Sequence, residues 1–544
     1  MVQAFQLLML SAPTEATLSE LAERYRRSFA LSGAEDPGLG KQAFHPFDER
    51  LAIIGSSREE FADCLADFAR GKTRRGMVRG QSSPGSDQVV FVCPGQGSQW
   101  AGMGKSLLGE EPVFRLAIEE CEELVRRHAG WSLIDLLSAG EPDTRLSRAQ
   151  YAQPAIFAVE VALAHLWQSW GVKPAAVIGH SSGEVAAAHL AGALTLEDAL
   201  RVVIHSGQLL AGAHGPGGMA MVHAGPAAVA GDLAACSGTA SIAAVNSPES
   251  VVISGEPAAV AALAASWRKR GVGCVSMSME HAFHTAAMGP IAAGLTHGLA
   301  SLAARRHTIP IFSTVFGRQL NGELFDAEYW GNNLQLPVLF DAAVRSALEM
   351  GFTTFLEVSP HPSLLASIKE RSEQSRRPVN LIPSLRRRQN ETFAMLTSLG
   401  HAFVIGCPVD RREPLIASAA AKPAGPALAA PFPGTGLLAF LSDQVRQILG
   451  MEAGSPIDED QSLFELGFDS LLAVQFRDSL AAALGDPLDA TILFNFPSIR
   501  SLAGHLQKQN APAPVLPDDE FLEKLKKMSD EEALQLLEAE LKLS

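Results

Sequence analysis

Two periods of apolar residues alternate along most of this chain. Leu7-Leu8-Met9-Leu10 is a short unbroken apolar run that predicts a strand, and Leu18, Leu21, Ala22 and Tyr25 follow at helical spacing. Leu51-Ala52-Ile53-Ile54 predicts a second strand and Arg58 to Phe68 a second helix, so residues 1–87 are expected to form a compact αβ unit ending in a loop from Gly76 to Asp87. From Val89 to about Pro383, strand-length apolar runs alternate with helical patterns, which predicts a largely parallel sheet covered by helices. Within that region Gly217 to Met277 reads as short strands, among them Ser241 to Val245 and Val251 to Ser254, with two helical stretches between them. A small inserted αβ subdomain is expected there, with a cleft between two lobes.

After Arg386-Arg387-Arg388 and an exit helix (386–412), residues 413–434 are so rich in Ala and Pro that they predict a semi-extended spacer. A small acidic, helix-rich unit is expected over 435–508, a second spacer over 509–517, and two amphipathic helices over 518–544. In this last segment Ser529 and Glu532 make a capping box, and Leu534, Leu537 and Leu541 share one helical face. No internal repeat is evident.

With 544 residues, 47% of them hydrophobic, the chain exceeds one typical core and can bury several. Its net charge of −15 leaves no broad basic face, so nucleic acid is not an expected partner. Cys64, Cys93, Cys121, Cys236, Cys274 and Cys407 are scattered without a C-x-x-C pair, which points to neither a metal site nor a disulfide framework and fits a reducing cytoplasm. No apolar run approaches the roughly 18 to 20 residues needed to cross a bilayer. Phe5 to Leu10 lacks the preceding basic residues of a secretory leader and reads as a strand. No membrane association is expected.

The candidate chemistry starts at Gly179-His180-Ser181-Ser182-Gly183, which follows the apolar run Ala175 to Ile178 and precedes a helical pattern. This is the pattern of a nucleophile elbow: a tight strand-to-helix turn lifts a serine hydroxyl out of the sheet and aims helix N-terminal amides at an acyl oxyanion. Upstream, Phe91 to Gln99 runs from an apolar strand into the glycine-bracketed turn Gly95-Gln96-Gly97. Downstream lies His281-Ala282-Phe283-His284. In this order the three motifs resemble the acyltransferase family that includes malonyl-CoA:carrier-protein transacylases and the acyltransferase domains of modular polyketide synthases, over about residues 1–410.

The resemblance implies an α/β fold. A parallel-sheet, hydrolase-like core (88–385) would hold an inserted ferredoxin-like αβ subdomain (215–278), preceded by an αβ linker domain (1–87). It also implies Ser181 as nucleophile, His284 as its base, and Gln96 with the Ser182 amide as oxyanion hole. In the family a backbone carbonyl orients the histidine, and the segment Asn333 to Val338 nominates Asn333. Serine needs a neutral imidazole to take its proton, and the imidazolium formed can then protonate the departing CoA thiolate.

Relatives that take malonyl-type substrates carry an arginine in the helix after the elbow, where this chain has Ser206. A buried carboxylate without its partner is penalised by several kcal/mol, so the resemblance implies acyl groups that lack a free carboxylate. His205 beside it is a candidate replacement base. Phe283 narrows the space beside the thioester and points to a small unbranched starter such as acetyl, with His281 next to the site. Leu339 stands where many relatives have arginine, a second departure.

Leu466-Gly467-Phe468-Asp469-Ser470-Leu471-Leu472, with Phe494 to Ser498 downstream, resembles an all-α four-helix acyl carrier domain bearing 4'-phosphopantetheine on Ser470. Its acidic face (Glu465, Asp469, Asp478) would suit basic partners. The tail resembles the C-terminal docking segments of polyketide synthase subunits. Together these imply a cytoplasmic loading didomain that moves an acyl group from acyl-CoA through Ser181 to its own carrier. A phosphopantetheinyl transferase and a downstream synthase subunit would be its partners. No ketosynthase-type cysteine motif is present, in keeping with priming rather than extension. The alternatives are a malonyl-type extender didomain, an editing acyl hydrolase and a non-catalytic docking scaffold.

Overall fold

The computed structural model describes residues 5–30, 47–140, 144–213, 217–234, 238–279, 281–410, 437–449, 451, 455–468, 472–473, 476–477, 480 and 492–509. Strand β1 (Gln6–Ala12), helix α1 (Glu15–Ala30), β2 (Glu49–Gly55), α2 (Arg58–Ala69) and β3 (Met77–Gln81) build the first unit. Its strands pair antiparallel in the order β1-β2-β3. Side chains alternate across this sheet. Leu8, Leu10, Leu51 and Ile53 pack with Leu18, Phe61 and Leu65 of the two helices on one face, and Leu7, Ala52, Ile54 and Val78 join the main core on the other.

The central region begins with β4 (Val89–Cys93), α3 (Lys105–Glu110), α4 (Pro112–Ala129), α5 (Leu133–Ser138), α6 (Ala149–Ser169), β5 (Pro174–Gly179), α7 (Gly183–Leu190) and α8 (Leu196–Ala211). A small subdomain follows, with β6 (Gly217–Val222), α9 (Pro226–Leu233), β7 (Ala240–Ser247), β8 (Ser250–Gly255), α10 (Pro257–Lys269) and β9 (Cys274–Met279). The chain then returns through α11 (Gly289–Gly298), β10 (Ile311–Ser313), β11 (Arg318–Gln319), α12 (Ala327–Gln335), α13 (Phe340–Glu349), β12 (Thr354–Glu357), α14 (Leu365–Ser375) and β13 (Asn380–Pro383) to α15 (Glu391–Ile405).

The large sheet has the order β11-β10-β5-β4-β12-β13, parallel throughout except for the short edge strand β11. Every residue of β4 is buried, as expected of a strand covered by helices on both faces. The small subdomain forms a separate antiparallel sheet of order β7-β8-β6-β9. Its strand–helix–strand–strand–helix–strand succession is that of a ferredoxin-like unit.

The segment expected to be a loop after Gly76 contains β3. Only Met77 and Val78 are apolar there, too few for a readable period, and the strand exists because β2 and α15 receive it. Gly80 makes that approach possible, since a Cβ at this position would lie 2.8 Å from Val404 Cγ1.

In the C-terminal unit, α16 (Leu437–Leu449) and the helices α17 (Ile492–Asn495) and α18 (Ile499–Gln509) enclose Leu441, Val445, Phe468, Phe476, Leu493 and Leu502 in a core of their own. The expected spacer at 413–434, that at 509–517 apart from Gln509, which ends α18, and the tail helices of 518–544 lie outside the described residues.

Candidate active site

Strand β5 ends at Gly179 and α7 begins at Gly183, with Ser181 in the turn between them. Ser181 has φ +53, in the left-handed region. A non-glycine residue held there costs on the order of 1–3 kcal/mol, which the surroundings must offset. The two glycines are required by space. A Cβ at Gly179 would fall 2.2 Å from Glu184 Cα, and one at Gly183 would fall 2.1 Å from the Cys93 carbonyl oxygen.

His284, also in the left-handed region at φ +58, places Nε2 2.7 Å from Ser181 Oγ. Its Nδ1 donates to the Leu336 carbonyl at 2.9 Å. The Leu336 carbonyl thus shares the orienting role with the expected Asn333: α12 ends at Gln335, and a carbonyl just past a helix end has no partner within the helix. The Asn333 carbonyl adds to the same pull on the ring proton. Burial, helped by the neighbouring His180, brings His284 down from 6.5 to about 4 against these carbonyls, so the imidazole is neutral at neutral pH and able to accept a proton.

Asn333 acts lower in the site. Its Nδ2 donates to the Ser181 carbonyl at 3.1 Å and to Glu184 Oε2 at 2.8 Å. Glu184, on the first turn of α7, is 1% exposed. It also accepts from the Thr314 amide at 2.5 Å, the Thr314 hydroxyl at 3.0 Å and the Tyr329 hydroxyl at 2.9 Å. Burial raises its carboxyl above the usual range in spite of these donors. One carboxyl thus ties together the elbow, β10's outgoing loop and α12. Sequence reasoning missed it, although an acid opening the otherwise apolar stretch Val185 to Ala188 was a usable signal.

On the other side of the nucleophile, Gln153 Nε2 donates to Gln96 Oε1 at 3.0 Å. This fixes one end of the Gln96 amide and leaves its NH2 end for a developing oxyanion. The Ser182 amide stands at the N-terminus of α7. His180 packs its ring at a tilt against Phe340 and bonds through Nε2 to Asn246 Oδ1 at 2.9 Å, a contact between the elbow and the small subdomain. Paired backbone bonds, Val245 to Val338 and Val338 to Ala243, both 2.9 Å, join the two lobes again.

A cavity of about 310 Å³ opens at Ser181 and His284 between the lobes. Gln96, Ser182, Asn333, Ser206 and Phe283 line it, and among the described residues no Arg, Lys, Asp or Glu does. The other expected selectivity residues lie elsewhere. His205, one position and about 100° around α8 from Ser206, faces α11, where a Cβ on Gly298 would meet its Nε2 at 1.9 Å. His281 stacks edge-on against Phe283 and lines a second cavity next to Gly255 and Met288. Leu339 packs near Gly317 and donates its amide to Thr314. Chain position alone did not reveal which way these side chains face.

Ser470 lies outside the described residues. The residues flanking it are a positive-φ Gly467, buried Phe468, and buried, helical Leu472 and Ala473. These fit a turn-to-helix segment able to bear a phosphopantetheine arm. Among the described residues no group of His, Cys, Asp or Glu is arranged to hold a metal ion, and no helix is long and apolar enough to cross a membrane.

Comparison with known proteins matches residues 90–409 to the acyl transferase domain family and residues 439–506 to the phosphopantetheine attachment site family. Erythronolide synthase EryA2 of Saccharopolyspora erythraea is 38% identical over 410 residues, covering 74% of this chain and 11% of that protein. Spectinabilin polyketide synthase system protein NorC of Streptomyces orinoci is 34% identical over 509 residues, covering 85% of this chain and 22% of that protein. The chain thus spans a small part of these relatives. Among solved structures, the acyltransferase domain from module 8 of the salinomycin polyketide synthase is 36% identical with a TM-score of 0.71, covering 75% of this chain and 97% of that one. A loading acyltransferase from the avermectin modular polyketide synthase is 38% identical with a TM-score of 0.55, covering 57% and 98%. The acyltransferase domain of SpnD in complex with 2-(pent-4-yn-1-yl)malonyl is 28% identical with a TM-score of 0.65, covering 74% and 96%.

Proposed function

The chain belongs to the acyl transferase domain family and carries a phosphopantetheine attachment domain behind it, and on that premise we propose that it loads a polyketide synthase with a starter acyl group lacking a free carboxylate. The observation that carries this reading is the Ser181–His284 pair opening into a cavity that no charged side chain lines among the described residues, with Ser206 on its wall where the family resemblance would put an arginine.

Ser181 Oγ attacks the thioester carbonyl of acyl-CoA while His284 Nε2 takes its proton. The Gln96 amide and the Ser182 N–H hold the developing oxyanion, and donors so placed commonly contribute about 3–4 kcal/mol. His284 then gives the proton to the departing CoA sulfur, leaving an ester on Ser181. The phosphopantetheine arm on Ser470 supplies, when attached, the thiol that receives the acyl group. In that second half, His284 takes the incoming thiol's proton and returns one to Ser181 Oγ. A phosphopantetheinyl transferase would modify Ser470, and the 518–544 helices would dock a downstream synthase subunit.

The likeness to the avermectin loading acyltransferase supports this reading. The likeness to the SpnD domain in complex with 2-(pent-4-yn-1-yl)malonyl favours a second, in which the chain selects a dicarboxylate extender unit. Intact-mass measurement of acyl-Ser181 in the Ser470→Ala protein, offered acetyl-CoA and malonyl-CoA in parallel, separates them. Acetyl labelling supports loading, and a strong malonyl preference overturns it. In the unaltered, arm-bearing protein, release of free acid faster than transfer would instead indicate an editing hydrolase.

A further inference from the structure

The polar groups lining the cavity are largely engaged around the nucleophile: Gln153 with Gln96, His180 with Asn246, Asn333 with Glu184 and the Ser181 carbonyl. Beyond them the wall changes character. Met219 and Met221 on β6, Met277 on β9 and Val252 on β8 all line the cavity. Met219 pairs in register with Met277, and Met221 with Val252, so the four side chains lie side by side on one face of the small sheet. The intervening Ala220 and Val222 turn the other way into the subdomain's own core. The methionines therefore line the cavity that holds the nucleophile and are not in the subdomain's core. Val203 and Leu295 continue the apolar wall from the large lobe.

We infer that this methionine-roofed chamber is an acyl-chain subsite for saturated monocarboxylic acyl groups longer than acetyl, straight or branched; the inference rests on the reading that Ser206 leaves no carboxylate anchor. Size decides the chain length. An apolar cavity of about 150 Å³ is enough to hold benzene. The cavity here is about 310 Å³. With half of it given to the thioester and the end of the CoA arm, the remainder is a benzene-sized chamber, room for about four to six carbons. An acetyl group would leave most of that apolar wall without contact. Methionine is unbranched and adaptable, and suits a wall that closes on chains of different shape.

The test follows acylation of Ser181 by intact mass in the full-length Ser470→Ala protein, offered acetyl-, butanoyl-, hexanoyl- and malonyl-CoA separately. Each methylene buried should raise the specificity constant about fourfold, so butanoyl and hexanoyl should exceed acetyl by at least about tenfold. Met219→Phe, which fills the roof, should restore acetyl to first place, and the partly exposed Met277→Phe should shift the profile the same way if the first variant fails to fold. Acetyl fastest in the unaltered pocket overturns this inference and leaves the starter reading standing. Malonyl fastest overturns the starter reading itself. A profile unmoved by either methionine variant removes the roof as the determinant.

Discussion

Replacing Glu184 by glutamine exchanges a single buried atom beneath the nucleophile. Glu184 Oε1 accepts both groups of Thr314, and Oε2 accepts Tyr329 and Asn333. A glutamine that keeps its oxygen on the Thr314 amide turns an NH2 toward the other two. The Tyr329 hydroxyl can reverse and accept, but the Asn333 NH2 cannot. One buried donor then faces another, at a cost of about 1–3 kcal/mol. Because Asn333 also holds the Ser181 carbonyl at 3.1 Å, the elbow loses part of what maintains its left-handed turn. About 1.4 kcal/mol of this reaching the transition state is a tenfold loss of rate. The expected result is a tenfold or greater fall in the acylation rate of Ser181, measured by rapid-quench intact mass, with a melting temperature lower by a few degrees. A variant that melts earlier yet acylates within twofold of the unaltered protein would show that Glu184 stabilises the fold without positioning the nucleophile.

His284, pulled by burial from 6.5 to about 4, should keep acylation flat from pH 8 to about 6 and lose it only as pH falls toward about 4; a midpoint near 6.5 in the rate profile would contradict this. The same depression means that the unfolded chain binds more protons than the folded one between these values, so His284's contribution to stability, present above about 6.5, should be lost as pH falls to about 4 in thermal melts. Ser206→Arg places a guanidinium in the cavity and should raise the malonyl-to-acetyl acylation ratio at least about tenfold, given about 1.5–3 kcal/mol for a charged hydrogen bond; an unchanged ratio would separate position 206 from substrate choice. Gly183→Ala pushes a methyl to 2.1 Å from the Cys93 carbonyl and should abolish acylation; a stable, active Gly183→Ala protein would refute the spatial argument for the elbow.

What was legible in the sequence were features with local signatures. The elbow could be read because a tight turn needs Gly179 and Gly183, and the alternating region because buried parallel strands such as β4 are apolar throughout. Features made by tertiary meeting were not legible. The Leu336 carbonyl orients His284 through its backbone, which carries no residue preference. Strand β3 owes its existence to β2 and α15 rather than to its own two apolar residues. His205 was misjudged because the helical face it occupies depends on α11, distant in sequence. The methionines looked like ordinary strand residues, and only the register of β6, β8 and β9 gathers them on one wall of the cavity.

Helix α15 lies against the first sheet, with Leu396, Leu399, Phe403 and Val404 sharing the core with Leu7, Ala52, Ile54 and Val78. Arg50 Nη1 donates to the Phe403 carbonyl at 2.6 Å. For anyone moving the acyl transferase domain into another protein, the natural seam is therefore not at residue 90. A graft of 90–409 alone would carry α15 away from the first sheet and leave a greasy stripe in water. The portable unit includes the front sheet, retained as the saddle on which the returning helix sits.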